Sequence, residues 1–176
     1  NDILNLTRVT SGKLAYNITN VKLGEVISDA ESMIVPQLEA AQLTYEKILP
    51  ADDCVVRADA DKLRQVVINL LGNSIKFTDT GGHISIEVKG VEGDEGSVGL
   101  AIRDTGIGIP ESDLQTIFDP FVQVDARLSS TREGAGLGLA ISRDLARGMG
   151  GDLWAESVVG EGSVLTVMLN KGGRAE

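Results

Sequence analysis

Cysteine, proline, histidine and aromatic residues are all scarce in this 176-residue chain, and each scarcity excludes something. The single cysteine, Cys54, has no partner within the chain for a disulfide, which suits a reducing cytosol better than a secreted scaffold. Aromatics amount to 3% of residues, too few for the stacked platforms that hold single-stranded nucleic acid. Positive charge is also short. Sixteen basic residues face twenty-six acidic ones, for a formal net charge of −10, so attraction to a phosphate backbone is excluded as a main activity. No apolar run approaches the roughly 20 residues of a membrane-spanning helix, and no signal-peptide pattern opens the chain.

What is present is ordinary globular composition, 42% hydrophobic and 24% charged, in a length typical of one domain. Twenty-one glycines against four prolines imply many turns and close backbone approaches. The chain begins at Asn1 without methionine and in mid-pattern, so the expectation is a piece of a longer, cytoplasmic protein.

Periodicity predicts the tail of a helix over residues 1–11, ended by Gly12, then an extended stretch from Tyr16 to Leu23 and a helix from Gly24 to Ala41. Alternation predicts strands over Leu43–Ile48, Cys54–Ala58, His83–Val91, Ser97–Arg103, Asp152–Ser157 and Ser163–Leu169, with Gly93 and Gly96 marking a hairpin. Asp59 is a suitable N-cap for a helix from Ala60 to Phe77. A short helix is expected over Glu111–Ile117 behind Pro110, an irregular stretch from Phe121 to Glu133, and a helix from Leu137 to Met149. Together these predict an α+β fold, a two-layer sandwich whose mixed sheet is covered on one face by three helices.

Three constellations carry chemistry. On the Ala60–Phe77 helix, Leu63, Val66, Val67, Leu70, Leu71 and Ile75 make an apolar face, while Asn69, Asn73 and Lys76 form a polar stripe at i, i+4 and i+7. Carboxamide oxygens one turn apart can ligate a hard cation, and a lysine one turn on can meet phosphate; a plain solvated face is the competing reading. Asp104 closes the apolar run Val98–Ile102, and a partly buried carboxylate there needs a donor such as the amine of adenine. Gly106 and Gly108 behind it allow a tight turn beside a flat ligand; a simple strand-ending turn is equally open. Finally, Gly134-Ala135-Gly136-Leu137-Gly138-Leu139 leads straight into a helix, where bare amides and the helix dipole favour phosphate. That run is neither a Walker loop nor a dinucleotide fingerprint.

Taken in order, these runs resemble the ATP-binding catalytic domain of sensor histidine kinases. Asn69-Leu70-Leu71-Gly72-Asn73-Ser74-Ile75-Lys76-Phe77 is similar to their N-box, Asp104 to Gly108 to their first glycine box, and Gly134 to Leu139 to their second. Phe118-Asp119-Pro120-Phe121 resembles an F-box of the hybrid-kinase kind. The resemblance implies a Bergerat-type sandwich over residues 14–172, preceded by the end of a dimerization helix in residues 1–13 and followed by a tail, 173–176. It implies that Asn73, helped by Asn69, binds Mg²⁺, that Lys76 touches a phosphate, and that Asn69 and Lys76 serve catalysis. Asp104 would read the adenine amine, with Gly106, Gly108 and Ile109 lining the base and Phe118 and Phe121 bracing a lid over Val122–Glu133. Gly134, Gly136, Leu137, Gly138 and Leu139 would cradle the phosphates of ATP, with Arg132 or Arg127 reaching them from the lid.

Two departures stand out. Ala135 occupies a place where the family usually has a hydroxyl, and the only histidine, His83, lies between Gly82 and a strand, without the acid-flanked helical setting of a phosphoacceptor. The implied reaction is transfer of the γ-phosphoryl group of ATP to a histidine on a dimerization domain outside this chain. A response-regulator receiver domain would then be the onward partner, and the fragment itself would be monomeric. Gyrase, MutL and the heat-shock chaperones share the fold, but they keep a glutamate as general base where this chain has Asn69. A nucleotide-binding pseudokinase or scaffold is the other alternative.

Overall fold

The computed structural model describes residues 2–123 and 136–173. Among these residues, four α-helices and seven strands follow one another as α1 (Asp2–Thr10), β1 (Thr19–Lys22), α2 (Leu23–Ala40), β2 (Thr44–Ile48), β3 (Val55–Ala58), α3 (Ala60–Phe77), β4 (His83–Val91), β5 (Asp94–Asp104), α4 (Gly138–Gly148), β6 (Asp152–Val158) and β7 (Gly162–Asn170). The main sheet has five strands in the order β2-β4-β5-β7-β6; β2 runs parallel to β4 and every other pairing is antiparallel. This is the mixed sheet and α+β architecture expected from the pattern.

Alternation sorts the strands by face. Ile84 and Ile86, Leu100 and Ile102, Leu153, and Leu165, Val167 and Leu169 are buried toward the helices. Leu63, Val66, Val67, Leu70 and Leu71 of α3 meet them, with Leu23, Ile27 and Ile34 of α2 and Ile141, Leu145 and Ala146 of α4 in the same core. The α3 apolar face is as expected, except that Ile75 is only partly buried and Ser74 is buried instead.

Asp59 caps α3 by accepting from the amides of Asp61 (3.1 Å) and Lys62 (3.2 Å), and its other oxygen accepts from the Asn17 amide at 2.9 Å. Burial pushes this carboxyl up, but the three amides and the Lys62 ammonium outweigh it and hold it below the usual range.

Two expected elements differ. The extended stretches before α2 and α3 pair with each other, Thr19 opposite Ala58, as a separate two-stranded sheet. The helix expected over Glu111–Ile117 is one 3₁₀ turn, Glu111–Asp113, followed by further turns closed by Thr116 and Ile117 amides on the Asp113 carbonyl. Seven residues ending shortly before Pro120 do not repay helix nucleation, so i→i+3 bonding prevails.

Candidate functional site

The site grows from the C-terminal end of α3. Its last carbonyls need partners, and the loop after β5 supplies one: the Ile107 amide donates to the Phe77 carbonyl at 3.1 Å. The same loop is tied to β4 by the Thr105 amide on the His83 carbonyl (3.1 Å). It is tied to the β6–β7 turn by the Gly160 amide on the Ile107 carbonyl (2.9 Å). Ser157 completes the frame, its hydroxyl accepting from the Ile109 amide at 2.7 Å.

Glycine is required at two positions here. A Cβ at Gly106 would run into the Phe77 carbonyl oxygen, and one at Gly108, where φ is +75°, would run into that of Val158. The two glycines let the loop lie directly on its supports.

Asp104 sits inside this frame. Its register opposite Ile84 and Ser163 turns the side chain to the helix-covered face, where it is 7% exposed. Oδ1 accepts from the amides of Gly106 (2.9 Å) and Ser163 (3.3 Å). Burial pushes the carboxyl above the usual range, against the opposing pull of those amides and of the Ser74 hydroxyl. Ser74, buried on α3, lends its hydroxyl to this carboxylate. A buried carboxylate behind a glycine-lined loop is an acceptor for a polar, planar ligand.

The polar stripe of α3 leads away from this pocket. Asn69 is half-buried, its Nδ2 donating to the buried Ser142 hydroxyl of α4 at 3.4 Å. Asn73 and Lys76 are likewise half-buried, and the Lys76 ammonium lies 5.3 Å from the Phe77 ring centre. Among the described residues no group of three His, Cys, Asp or Glu side chains could hold a metal. The donor set that fits a hard cation is the carboxamide pair, completed by oxygens of a ligand or water.

At the start of α4, the Phe121 amide donates to the Gly136 carbonyl at 3.0 Å, joining the F-box-like run to the second glycine run. Leu137 is 1% exposed and belongs to the core, while Gly138 opens α4 with free space where a Cβ would point. Leu139 and Ile109 are partly buried against the core. Phe118 is buried beneath the Arg143 guanidinium, 4.7 Å above its ring, whereas Phe121 is exposed. Arg127, Arg132, Gly134, Ala135 and the stretch expected as a lid, beyond Val122 and Gln123, lie outside the described residues.

Ser74, Ser142, Arg143, Ser157 and Ser163 were not singled out by motif reasoning. Their one signal is hydroxyl or charge at positions that pattern alone assigns to core or strand. His83 begins a strand, its Nδ1 2.7 Å from the Thr44 hydroxyl, and is no helix residue.

The family model of histidine kinase-, DNA gyrase B- and HSP90-like ATPases matches residues 58–173. The sensor histidine kinase WalK of Bacillus subtilis is 34% identical over 172 residues, which are 96% of this chain and 27% of WalK. Among solved structures, full-length ShkA in complex with AMPPNP superposes with a TM-score of 0.86 at 26% identity, over 100% of this chain and 36% of ShkA. The catalytic domain of histidine kinase ThkA gives 0.75 at 27%, over 88% of this chain and 96% of that domain. This chain thus spans about a quarter of WalK but nearly all of a kinase catalytic domain. With strands β4 to β7, α3, the buried aspartate and the glycine-backed loop inside the matched residues, the chain belongs to the histidine kinase-, DNA gyrase B- and HSP90-like ATPase family.

Proposed function

We propose that this chain is the ATP-binding catalytic domain of a cytoplasmic sensor histidine kinase, transferring the γ-phosphoryl group of ATP to a histidine on a separate dimerization domain. The observation that carries the kinase reading over the ATPase one is Asn69: a carboxamide, held by Ser142, occupies the place where a hydrolase needs a proton-accepting carboxylate. Asp104 accepts from the adenine amine, and Gly106 and Gly108 bring backbone against the base. Asn73 and Asn69 hold Mg²⁺, which neutralises phosphate charge when bound. Lys76 and the amides at the start of α4, Gly136 and Gly138 among them, orient the phosphates. Gly134 and Arg132 are proposed to help there. Transfer then rests on positioning, and the phosphohistidine passes its group to a response-regulator receiver domain.

The purified chain is expected to bind Mg·ATP, to hydrolyse it close to background, and not to label itself. General-base catalysis is typically worth about 10²–10⁴-fold, and Asn69 supplies none. Covalently linking a dimerization domain that carries its histidine should produce acid-labile phosphate on that histidine. Brisk hydrolysis by the chain alone, or phosphate on His83, would refute the proposal.

Gly138→Ala tests the phosphate seat separately. Its methyl would meet open space, so the nucleotide-free protein should gain up to about 1 kcal/mol from helix propensity. ATP affinity should nevertheless fall several-fold while adenosine affinity holds, as read by calorimetry. Equal losses for both would place the effect away from the phosphates.

A further inference from the structure

We infer that Arg143 is a positioning residue for the phosphate seat, its guanidinium setting how the start of α4 lies against residues 117–122. The inference rests on the nucleotide reading above and adds a residue that acts through Phe118 rather than on the nucleotide.

Arg143 lies half-buried on the second turn of α4, its guanidinium carbon 4.7 Å from the centre of the Phe118 ring. A flat cation over an aromatic face is held by the negative π surface, more strongly where water is partly excluded. Its Nε donates to Asp152 Oδ1 at 3.4 Å. That oxygen is fixed in turn by the Leu153 amide (2.8 Å) and by Arg147 Nε (3.0 Å). The guanidinium therefore reaches from the first residue of β6 to the buried Phe118. Next to it on α4, the Ser142 hydroxyl accepts from Asn69 Nδ2 at 3.4 Å, so adjacent residues of α4 meet α3 and Phe118.

A close backbone approach depends on this clamp. Among the described residues, the backbone joins residues 117–122 to the start of α4 at one hydrogen bond, from the Phe121 amide to the Gly136 carbonyl at 3.0 Å. Gly136 has φ +69°, and a Cβ there would stand 2.9 Å from the Val122 carbonyl oxygen. The two segments are thus at contact distance just before α4 opens at Gly138, where helix-end amides would face phosphates. One hydrogen bond is a weak hold on that spacing. The Arg143–Phe118 stack joins the same two segments and is a second hold. Lysine could supply the charge, but not the flat stack and the Asp152 bond together.

The test is calorimetry of Mg·ATP and of adenosine on the whole chain, on Arg143→Ala, Arg143→Lys and Phe118→Leu, and on the Arg143→Ala/Phe118→Leu double variant. Arg143→Ala should lose about three- to tenfold in ATP affinity, within the range of one such contact, with adenosine affinity unchanged. Arg143→Lys should recover part of the loss. Phe118→Leu should lower ATP affinity relative to adenosine likewise. The double variant should lose no more than the larger single loss, because both substitutions break one contact. A merely structural arginine would lower the melting temperature without moving the ratio of ATP to adenosine affinity, and that result overturns the inference. So does a double-variant loss equal to the product of the single losses, which would make Arg143 independent of Phe118. Absence of ATP binding by the unsubstituted chain would instead overturn the nucleotide reading itself.

Discussion

Asp104→Asn is expected to weaken ADP and ATP binding by about ten- to hundredfold, the worth of a hydrogen bond to a charged group, and to affect GTP far less. Among the described amides, those of Gly106 and Ser163 donate to Oδ1, and the substitution puts a donor or an uncharged acceptor in place of the carboxylate. Stability should move the other way. Burial raises the folded-state pKa of this carboxyl, so the folded protein binds its proton more readily than the unfolded chain. Ionised Asp104 therefore costs stability above its folded pKa, and the cost disappears as pH falls below the ordinary carboxylate value. Asp104→Asn should melt no lower than the parent at neutral pH, and any advantage should shrink on acidification. A variant that loses stability at neutral pH while keeping ADP affinity would show that Asp104 is a structural residue.

Gly106→Ala is expected to disrupt the site strongly with a single methyl. The added Cβ meets the Phe77 carbonyl oxygen and carbon and crowds Asp104 Oδ1, and neither the end of α3 nor the loop can yield alone. Overpacking of this kind costs about 1–3 kcal/mol. The loop would have to leave α3, breaking the Ile107–Phe77 hydrogen bond. Nucleotide affinity should then fall by roughly a hundredfold, since ångström-scale misplacement has that effect where geometry carries the interaction. Gly72→Ala is the control: no neighbouring atom lies within reach of its Cβ on α3, so a gain of about 0.5–1 kcal/mol with unchanged ADP binding is expected. Chemical denaturation and calorimetry on both variants decide it; unchanged ADP affinity in Gly106→Ala would remove the loop from the site.

The helices and strands were legible where one periodicity dominates. The α3 face Leu63, Val66, Val67, Leu70 and Leu71 repeats at helical spacing, and Asp59 offers a cap of the right chemistry, so both appear as read. The run Glu111–Ile117 failed because a short segment's backbone bonding follows its surroundings rather than its own preference. The pairing of β1 with β3, residues 33 to 39 apart in sequence, leaves no local mark that distinguishes it from membership of the main sheet.

Residue types and spacing were enough to determine the fold class, the amphipathic helices, the absence of a hydrolytic base at Asn69 and the glycine positions around Asp104. Only the folded chain decided what those residues touch. Motif reading treats Phe118 and Phe121 as a pair, yet one is buried under Arg143 and the other is exposed. It passes over Ser74 between Asn73 and Ile75, although the fold buries that hydroxyl and brings it to bear on Asp104, 30 positions along the chain. The reason is physical: side-chain type sets which hydrogen bonds a residue can make. Burial and the convergence of distant strands and helices set which of them are left unmade, and so where a ligand is recognised.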